Sequence, residues 1–197
     1  GLYVDDCRIL DGFELTVDGE APVPLASDDR HGFETHHHLT NPPLPARDGA
    51  TALPRNTLSL VRHRVLRQGV VHELLRIRNH ATHPVTLSLA LRLQARFDDL
   101  FIVKRFVDGP RGTLHAPRVL DGRCLEFRYD GRDGVTRRLL VGFAEPPAGL
   151  DADGAAFTVT LTPGGCRELL WTLRPVVASS SSRRCRATSR SRFSCGA

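Results

Sequence analysis

The 197-residue sequence has no methionine, one tryptophan, two tyrosines and a single lysine among its 27 basic residues. With so few large aromatic side chains, the chain offers little surface on which a sugar ring could stack. No apolar run approaches the roughly 20 residues that a membrane-spanning helix needs, and no signal peptide is recognisable. We therefore expect a cytoplasmic, globular protein that contacts no membrane.

Cysteine is present, but not in a pattern that binds a metal or builds a disulfide framework. None of the cysteines forms a CxxC pair, and their odd number argues against complete disulfide pairing. Reduced thiols are the simplest interpretation. The five residues are Cys7, Cys124, Cys166, Cys185 and Cys195.

Motifs for catalysis are also missing. The sequence contains no GxSxG, no Walker loop, no GxGxxG and no HExxH. Three acidic doublets remain, but adjacent strand residues point to opposite sides of a sheet, so no doublet is itself a catalytic carboxylate pair. We predict no catalytic residue, no cofactor and no activity for this chain alone. The doublets are Asp5-Asp6, Asp28-Asp29 and Asp98-Asp99.

What the sequence does contain is a strong alternation of apolar and polar residues. From Val85 to Phe97 one parity is apolar and the other largely polar, and this period of two is typical of a half-buried strand. The alternation stops at residues 98–101, which indicates a specific feature at the strand end. Similar segments separated by turn signals predict about nine or ten strands and no helix. The predicted fold class is all-β, an antiparallel β-sandwich.

Turn residues predict how these strands connect. Asp18-Gly19 indicates a hairpin after the first long strand, and residues 162–165 indicate a hairpin near the end of the domain. Residues 57–66, 70–78 and the strand that begins at Val85 are predicted to form a three-stranded meander.

The positive charge is concentrated at the C-terminus. Residues 179–197 hold five arginines and no acid, so removing these 5 charges from the net +5 leaves residues 1–178 neutral. A neutral domain has no electrostatic surface for nucleic acid. We divide the chain into a β-sandwich domain, 1–178, and a Ser/Arg-rich tail, 179–197, predicted to be disordered. The tail is interpreted as a solvated extension or an out-of-frame translation of GC-rich DNA, with RNA binding as the alternative.

A run of histidines is the one candidate for metal binding. Glu34, His36 and His38 share one face of a predicted strand, with His31 nearby, and imidazole and carboxylate groups are metal ligands. No further ligand from a loop can be identified, and histidines on a strand edge are commonly solvated. The sequence therefore favours solvated histidines and no metal, with a metal site as the alternative.

Two neighbouring predicted strands are rich in arginine. Arg62 and Arg64 lie on one strand, and Arg76 and Arg78 on the next. Such a row is typical of a polar sheet face or a docking surface, and the alternative is an anion-binding surface.

Several short motifs, in order along the chain, resemble those of one protein family. They are Asp6-Cys7-Arg8-Ile9-Leu10, Leu39-Thr40-Asn41-Pro42, Arg78-Asn79 with Pro84-Val85, and the segment Phe97 to Lys104. Together they resemble the N-terminal domain of bacterial glycogen debranching enzyme-like proteins of the amylo-α-1,6-glucosidase type. The departures are Cys7, where the family has threonine, and Ile102, where it has glutamate.

This resemblance implies a β-sandwich that precedes an (α/α)6-barrel catalytic domain. In the family the catalytic acids lie in the barrel, which is absent from this chain, so no catalytic residue is carried over. The implied role is a non-catalytic module of a glycoside hydrolase, which packs on the barrel and helps to shape its substrate cleft. We expect the contact surface, or part of the cleft, at Arg8, Asp99, Leu100 and Phe101.

Two other functions remain as alternatives. A stand-alone carbohydrate-binding module for α-glucans would need an aromatic platform, and Tyr3, Tyr129 and Trp171 are few for that role. A nucleic-acid binder would act through the Ser/Arg tail. The expected partners are the barrel domain and an α-glucan oligosaccharide, with neither nucleic acid nor membrane.

Overall fold

The computed structural model describes residues 1–29, 32–46, 51–104 and 112–179. These residues form two antiparallel sheets and one helical turn, α1 (Leu100–Val103). The five-stranded sheet has the order β1 (Leu2–Val4), β2 (Cys7–Val17), β7 (Val85–Asp99), β13 (Gly154–Leu161) and β12 (Gly149–Asp151). The nine-stranded sheet has the order β3 (Val23–Asp28), β4 (Glu34–Thr40), β5 (Leu58–Arg67), β6 (Val70–Asn79), β14 (Cys166–Ser179), β11 (Val135–Phe143), β10 (Cys124–Asp130) and β8 (Thr113–Leu114), with β9 (Arg118–Leu120) also paired to β10.

The two sheets pack face to face, which confirms the predicted β-sandwich. Phe157 of the smaller sheet meets Phe143 of the larger one edge to face, with 5.7 Å between ring centroids. The core between the sheets includes fully buried side chains from both, among them Ile9, Leu89 and Trp171. No helix in the described part of the chain is long and apolar enough to span a membrane.

The longest strand, β7, follows the predicted alternation closely. Its odd-numbered residues from Val85 to Phe97 are buried, and the intervening residues are exposed or half-buried. At Phe97 the backbone φ becomes +54°, and the next residue, Asp98, is buried as well. The predicted feature at the strand end is therefore an irregularity in the β2–β7 register at Phe97, followed by α1. Helix α1 has only four residues, so the predicted all-β fold class is confirmed.

Three predicted strand pairings are wrong for the same reason. They are the hairpins at residues 18–19 and 162–165 and the third strand of the meander. The turns are present, but each returning strand crosses to the other sheet. The strands β3, β7 and β14 therefore do not pair with the strands that precede them. Only β5 and β6 of the predicted meander pair with each other. A turn signal specifies that the chain reverses, whereas the sheet that the returning strand joins depends on tertiary packing.

One buried asparagine holds two of these crossings together. The Asn79 side-chain amide donates to the carbonyl oxygens of His83 at 3.0 Å, Leu161 at 3.3 Å and Thr162 at 3.2 Å. Its Oδ1 accepts the backbone N–H of Ala81 at 2.8 Å. Asn79 is completely buried, so these bonds satisfy an amide that would otherwise be costly to desolvate. The connections from β6 to β7 and from β13 to β14 are thereby joined at one corner.

Some sequence predictions fall outside the described residues. His31, Cys185, Cys195 and the predicted disordered tail from residue 180 onward lie there, so their interpretations remain predictions. The three cysteines within the described part of the chain form no disulfide with one another.

Candidate functional site

The end of the five-stranded sheet at which β2 begins and β7 ends contains most of the predicted contact residues. Arg8 lies opposite Asp98 in the ladder, and Cys7 lies opposite Asp99. The Arg8 guanidinium donates to Asp98 at 3.0 Å and contacts Asp11 at 2.8 Å. The Asp98 side chain is only 4% exposed, so the pairing with Arg8 compensates for the loss of water around its carboxylate. We refer to this region as the Arg8 end of the sandwich.

Helix α1 begins at the same place. The Leu100 N–H donates to the Asp6 carbonyl at 2.7 Å, and the Lys104 N–H donates to the Leu100 carbonyl at 2.9 Å. The structure thus brings Arg8, Asp99 and Leu100 together, and the backbone of Phe101 continues into the turn. Whether these residues contact another domain stays a prediction.

The larger sheet meets this end through an aromatic pair. Phe97 stacks on Tyr129 with ring centroids 5.6 Å apart and an interplanar angle of 6°. The Tyr129 hydroxyl accepts the Gly112 N–H at 2.8 Å. Cys7 is close to Arg137 of the larger sheet; burial raises the pKa of the Cys7 thiol, and the nearby Arg137 lowers it only in part. A thiol with a raised pKa is a poor nucleophile, so Cys7 is suited to packing.

Next to Tyr129, Asp130 is held in its ionised form. A hydrogen bond from Thr136 is the main cause that lowers the Asp130 pKa to about 2, and hydrogen bonds with His115 and Arg128 act in the same direction. The Thr136 bond is 2.8 Å long and the contact with His115 is 2.7 Å. A carboxyl group with this pKa carries no proton at neutral pH and cannot serve as a general acid.

Two of the four arginines in the predicted row point into the sandwich. Arg62 and Arg64 share the parity of Leu58 and Leu60, so their side chains face the core with them. Both bind Glu73, which is completely buried, at 2.5 Å and 2.7 Å. Each guanidinium also lies over the Phe13 ring, 5.0 Å and 5.2 Å from its centroid. These two arginines therefore do not belong to a polar outer face of the sheet; the Arg62 side chain is 13% exposed and the Arg64 side chain 34%.

We call Glu73, Arg62, Arg64 and Phe13 the inner cluster. The sequence contained a signal for this cluster that we missed. Glu73 has the parity of the apolar residues Val71 and Leu75 in β6. An acidic residue at a core position implies a buried basic partner.

His37 of β4 lies next to the inner cluster, because it is opposite Arg62 in the β4–β5 ladder. Burial lowers the pKa of the His37 imidazole, and the charges of Arg64 and Arg62 lower it further. His37 is therefore biased toward its neutral form.

The opposite face of β4 and β5 contains a possible metal site that differs by one residue from the site predicted as an alternative. Glu34 and His36 lie together as predicted, but their third partner is His63 rather than His38. His63 is directly opposite His36 in the ladder. Directly opposed residues have Cβ atoms about 4.5–5.5 Å apart, closer than residues two apart on one strand. The strand register, which the sequence did not reveal, decides the partner.

We call Glu34, His36 and His63 the outer cluster. The His63 Nε2 lies 2.6 Å from a Glu34 carboxylate oxygen, and the His36 Nε2 lies 3.9 Å from the same oxygen. The two imidazole rings stack with centroids 4.1 Å apart and an angle of 8°. One ligand atom from each residue falls within 4.8 Å of the others.

An open cleft of about 440 Å³ lies beside β13. The single aromatic residue in its lining is Phe157, which is buried, and an ion pair between Glu145 and Arg167 borders it at 2.5 Å. Such a cleft offers no aromatic platform for a sugar ring.

Comparison with known proteins places this geometry in context. Residues 1–172 match the family model described as the N-terminal domain of (some) glycogen debranching enzymes. No curated protein sequence matches the chain.

Solved structures with a similar fold share little sequence with the chain. A protein described as a kojibiose phosphorylase from human microbiome aligns with a TM-score of 0.59 and 8% identity, over 90% of this chain and 24% of that one. This likeness shows the fold alone, and the present chain spans about a quarter of that protein. A galactose mutarotase-like protein from Clostridium acetobutylicum, with a TM-score of 0.36 and 7% identity over 80% of this chain and 67% of its own, is too distant to support an argument.

Proposed function

This chain belongs to the family of N-terminal domains of glycogen debranching enzymes, and from that premise we propose that it acts through a catalytic domain beside it. In this proposal the chain is a non-catalytic module that packs on an (α/α)6 barrel and shapes the cleft that receives an α-glucan. The bacterial cytoplasm is its proposed location. The observation that carries the proposal is the family match over residues 1–172.

The partners of three carboxylates support a non-catalytic role; Glu73 and Asp98 are buried, whereas Asp130 is partly exposed. Glu73 is bound by two arginines, Asp98 by Arg8, and Asp130 is kept ionised by its hydrogen bonds. A glycoside hydrolase needs one carboxyl group that keeps its proton near neutral pH. Arginines occupy the carboxylates of Glu73 and Asp98, and the lowered pKa of Asp130 excludes that residue from such a role.

The Arg8 end is the surface that we propose for contact with the barrel. Three exposed apolar side chains adjoin it: Tyr3 lies opposite Arg8, Leu114 opposite Tyr129, and Val177 opposite Arg137. They are 47%, 50% and 47% exposed. Apolar side chains gathered near charged groups are typical of surfaces that another domain covers.

The carbohydrate-binding alternative has less support. Trp171, the aromatic residue best suited to stack on a sugar, is only 1% exposed in the core. Phe157 in the β13 cleft is buried as well. Tyr3 is exposed, but one ring supplies only part of a binding platform.

Two assays on the purified chain test the proposal. We expect no glucose release from a branched α-1,6-linked limit dextrin, and unchanged migration in a native gel that contains glycogen. Hydrolysis that survives repurification would overturn the non-catalytic assignment. Retardation of the chain by glycogen, abolished by Tyr3→Ser, would favour a stand-alone carbohydrate-binding module.

A further inference from the structure

The outer cluster has the composition and spacing of a transition-metal site. Two imidazole nitrogens and a carboxylate oxygen converge from two adjacent strands, and the side chains are 30–38% exposed. A metal ion can therefore reach them from solvent without any rearrangement of the fold. Nothing in the family assignment requires these residues, so this inference stands independently of the proposed function.

The distances agree with one bound ion. Zn²⁺ binds histidine nitrogen and carboxylate oxygen at about 2.0–2.2 Å in a tetrahedron, which places neighbouring ligand atoms about 3.3 Å apart. The two nitrogen-to-oxygen distances of 2.6 Å and 3.9 Å fall on either side of that spacing. The two imidazole rings, which stack at 8° from parallel, would separate by rotation about χ2 so that one ion lies in the plane of both rings, while β4 and β5 stay in place.

The backbone provides the framework for the site. His36 and His63 are opposite each other in the β4–β5 ladder, and Glu34 is two residues from His36 on the same face. In the ladder between β3 and β4, Asp28 lies opposite His36, so a second carboxylate adjoins the cluster. The sheet thus fixes the backbone of each ligand residue before an ion binds, which lowers the entropy cost of binding.

We propose that Glu34, His36 and His63 bind one Zn²⁺ ion, with water in the remaining coordination position. The ion would connect β4 to β5 on the outer face of the larger sheet. Nitrogen and oxygen ligands of this kind suit Zn²⁺, whereas Mg²⁺ and Ca²⁺ prefer oxygen ligands alone. Because ligands from two strands bind only when the strands are paired, the ion would also stabilise the folded state.

The test is calorimetric titration of the full chain with ZnCl₂ after treatment with a chelator and desalting. The chain should carry no polyhistidine tag. The background should combine Cys166→Ser, Cys185→Ser and Cys195→Ser, because a thiol outside the core is itself a zinc ligand. We expect one site, and a dissociation constant at least tenfold weaker in His36→Gln and in His63→Gln. Circular dichroism checks that each variant remains folded.

Matched controls come from the same sheet. His38 is on the same face of β4 but outside the cluster, and His72 is on the same face of β6. His38→Gln and His72→Gln should bind zinc as the background protein does. The proposal would be overturned if the control variants lost as much zinc affinity as the cluster variants, or if both cluster variants bound zinc as the background protein does.

Cobalt provides a second readout that does not depend on affinity. Bound Co²⁺ should give the visible absorption of a four-coordinate site in the background protein, and His63→Gln should remove it. A spectrum that indicates only six-coordinate, hydrated Co²⁺ in the background protein would count against the site.

Discussion

The two faces of β4, β5 and β6 use the same kinds of residue in opposite ways. On the inner face, Glu73 is fully buried and bound by Arg62 and Arg64. On the outer face, Glu34 is 30% exposed and contacts His36 and His63. The inner residues and the outer residues alternate along the same strands. A shift by one residue along a strand moves a side chain to the other face of the sheet. The face thus decides whether a carboxylate supports the fold or remains available to a ligand.

The physical reason for this difference is solvation. A buried carboxylate is tolerated only when its partners replace the lost water, so Glu73 cannot exchange its arginines for a ligand. A half-exposed carboxylate has a small desolvation cost and can change partners freely. We therefore expect the inner cluster to control stability and the outer cluster to control binding.

The largest expected effect is on the inner cluster. Glu73→Gln should lower the free energy of unfolding by about 3–5 kcal/mol, because it removes the buried counter-charge of Arg62, which is largely buried, and of Arg64, which is partly exposed. Urea unfolding measured by tryptophan fluorescence of Trp171 provides the readout. The matched control is Glu34→Gln in metal-free buffer, which should change stability by less than about 0.5 kcal/mol. Equal losses of unfolding free energy in Glu73→Gln and Glu34→Gln would show that the inner and outer faces do not differ in their contribution to stability.

A smaller effect is expected at the aromatic ring of Phe13 within the inner cluster. Phe13→Leu keeps an apolar side chain but removes the aromatic face over Arg62 and Arg64, and should cost about 1–2 kcal/mol. Urea unfolding of Phe13→Leu, Arg64→Met and the double variant would measure the coupling between ring and guanidinium. Strict additivity of the two single effects would argue that the contact contributes no energy of its own.

The smallest expected effect concerns pH. The folded-state pKa of His37 is below the ordinary value of about 6.5, so the unfolded chain binds more protons as the pH falls below that value. Stability should therefore decrease as the pH is lowered from about 6.5 toward the folded-state pKa, and remain constant above. His37→Gln should weaken this dependence, whereas His38→Gln should leave it unchanged. An NMR titration of His37 with a midpoint above 6.5 would contradict the assignment.

The sequence predicted the strands better than their partners. The alternation in β7 identified its buried face and its end, because both depend on neighbouring residues of one strand. The crossings after Val17, Asn79 and Leu161 were missed, because a turn looks the same whichever sheet receives the next strand. His63 was missed for a related reason: its partners come from another strand, and only the register brings them together. Glu73 was missed although its core parity in β6 implied a buried basic partner.

The residues at the Arg8 end were found by resemblance, and the structure explains why they occur together. Arg8 and Asp98 are 90 positions apart in the chain but opposite each other in the ladder between β2 and β7. Charge alone would not have identified this pair, since the domain contains many arginines and acids. The exposed residues Tyr3 and Leu114 beside it could not be recognised from alternation, because their strands are too short to show a period.

The central claim, that this domain acts by packing on a catalytic barrel, is tested most directly by measuring that contact. The barrel domain, identified by reading the genomic DNA beyond codon 197 in all three frames, would be titrated calorimetrically with the purified chain. We predict a one-to-one complex that the pair Tyr3→Ser and Leu114→Ser weakens at least tenfold, while Leu170→Ser, an exposed leucine elsewhere on the larger sheet, leaves it unchanged. Failure to find such a barrel, or a barrel that does not bind the chain, would contradict the claim.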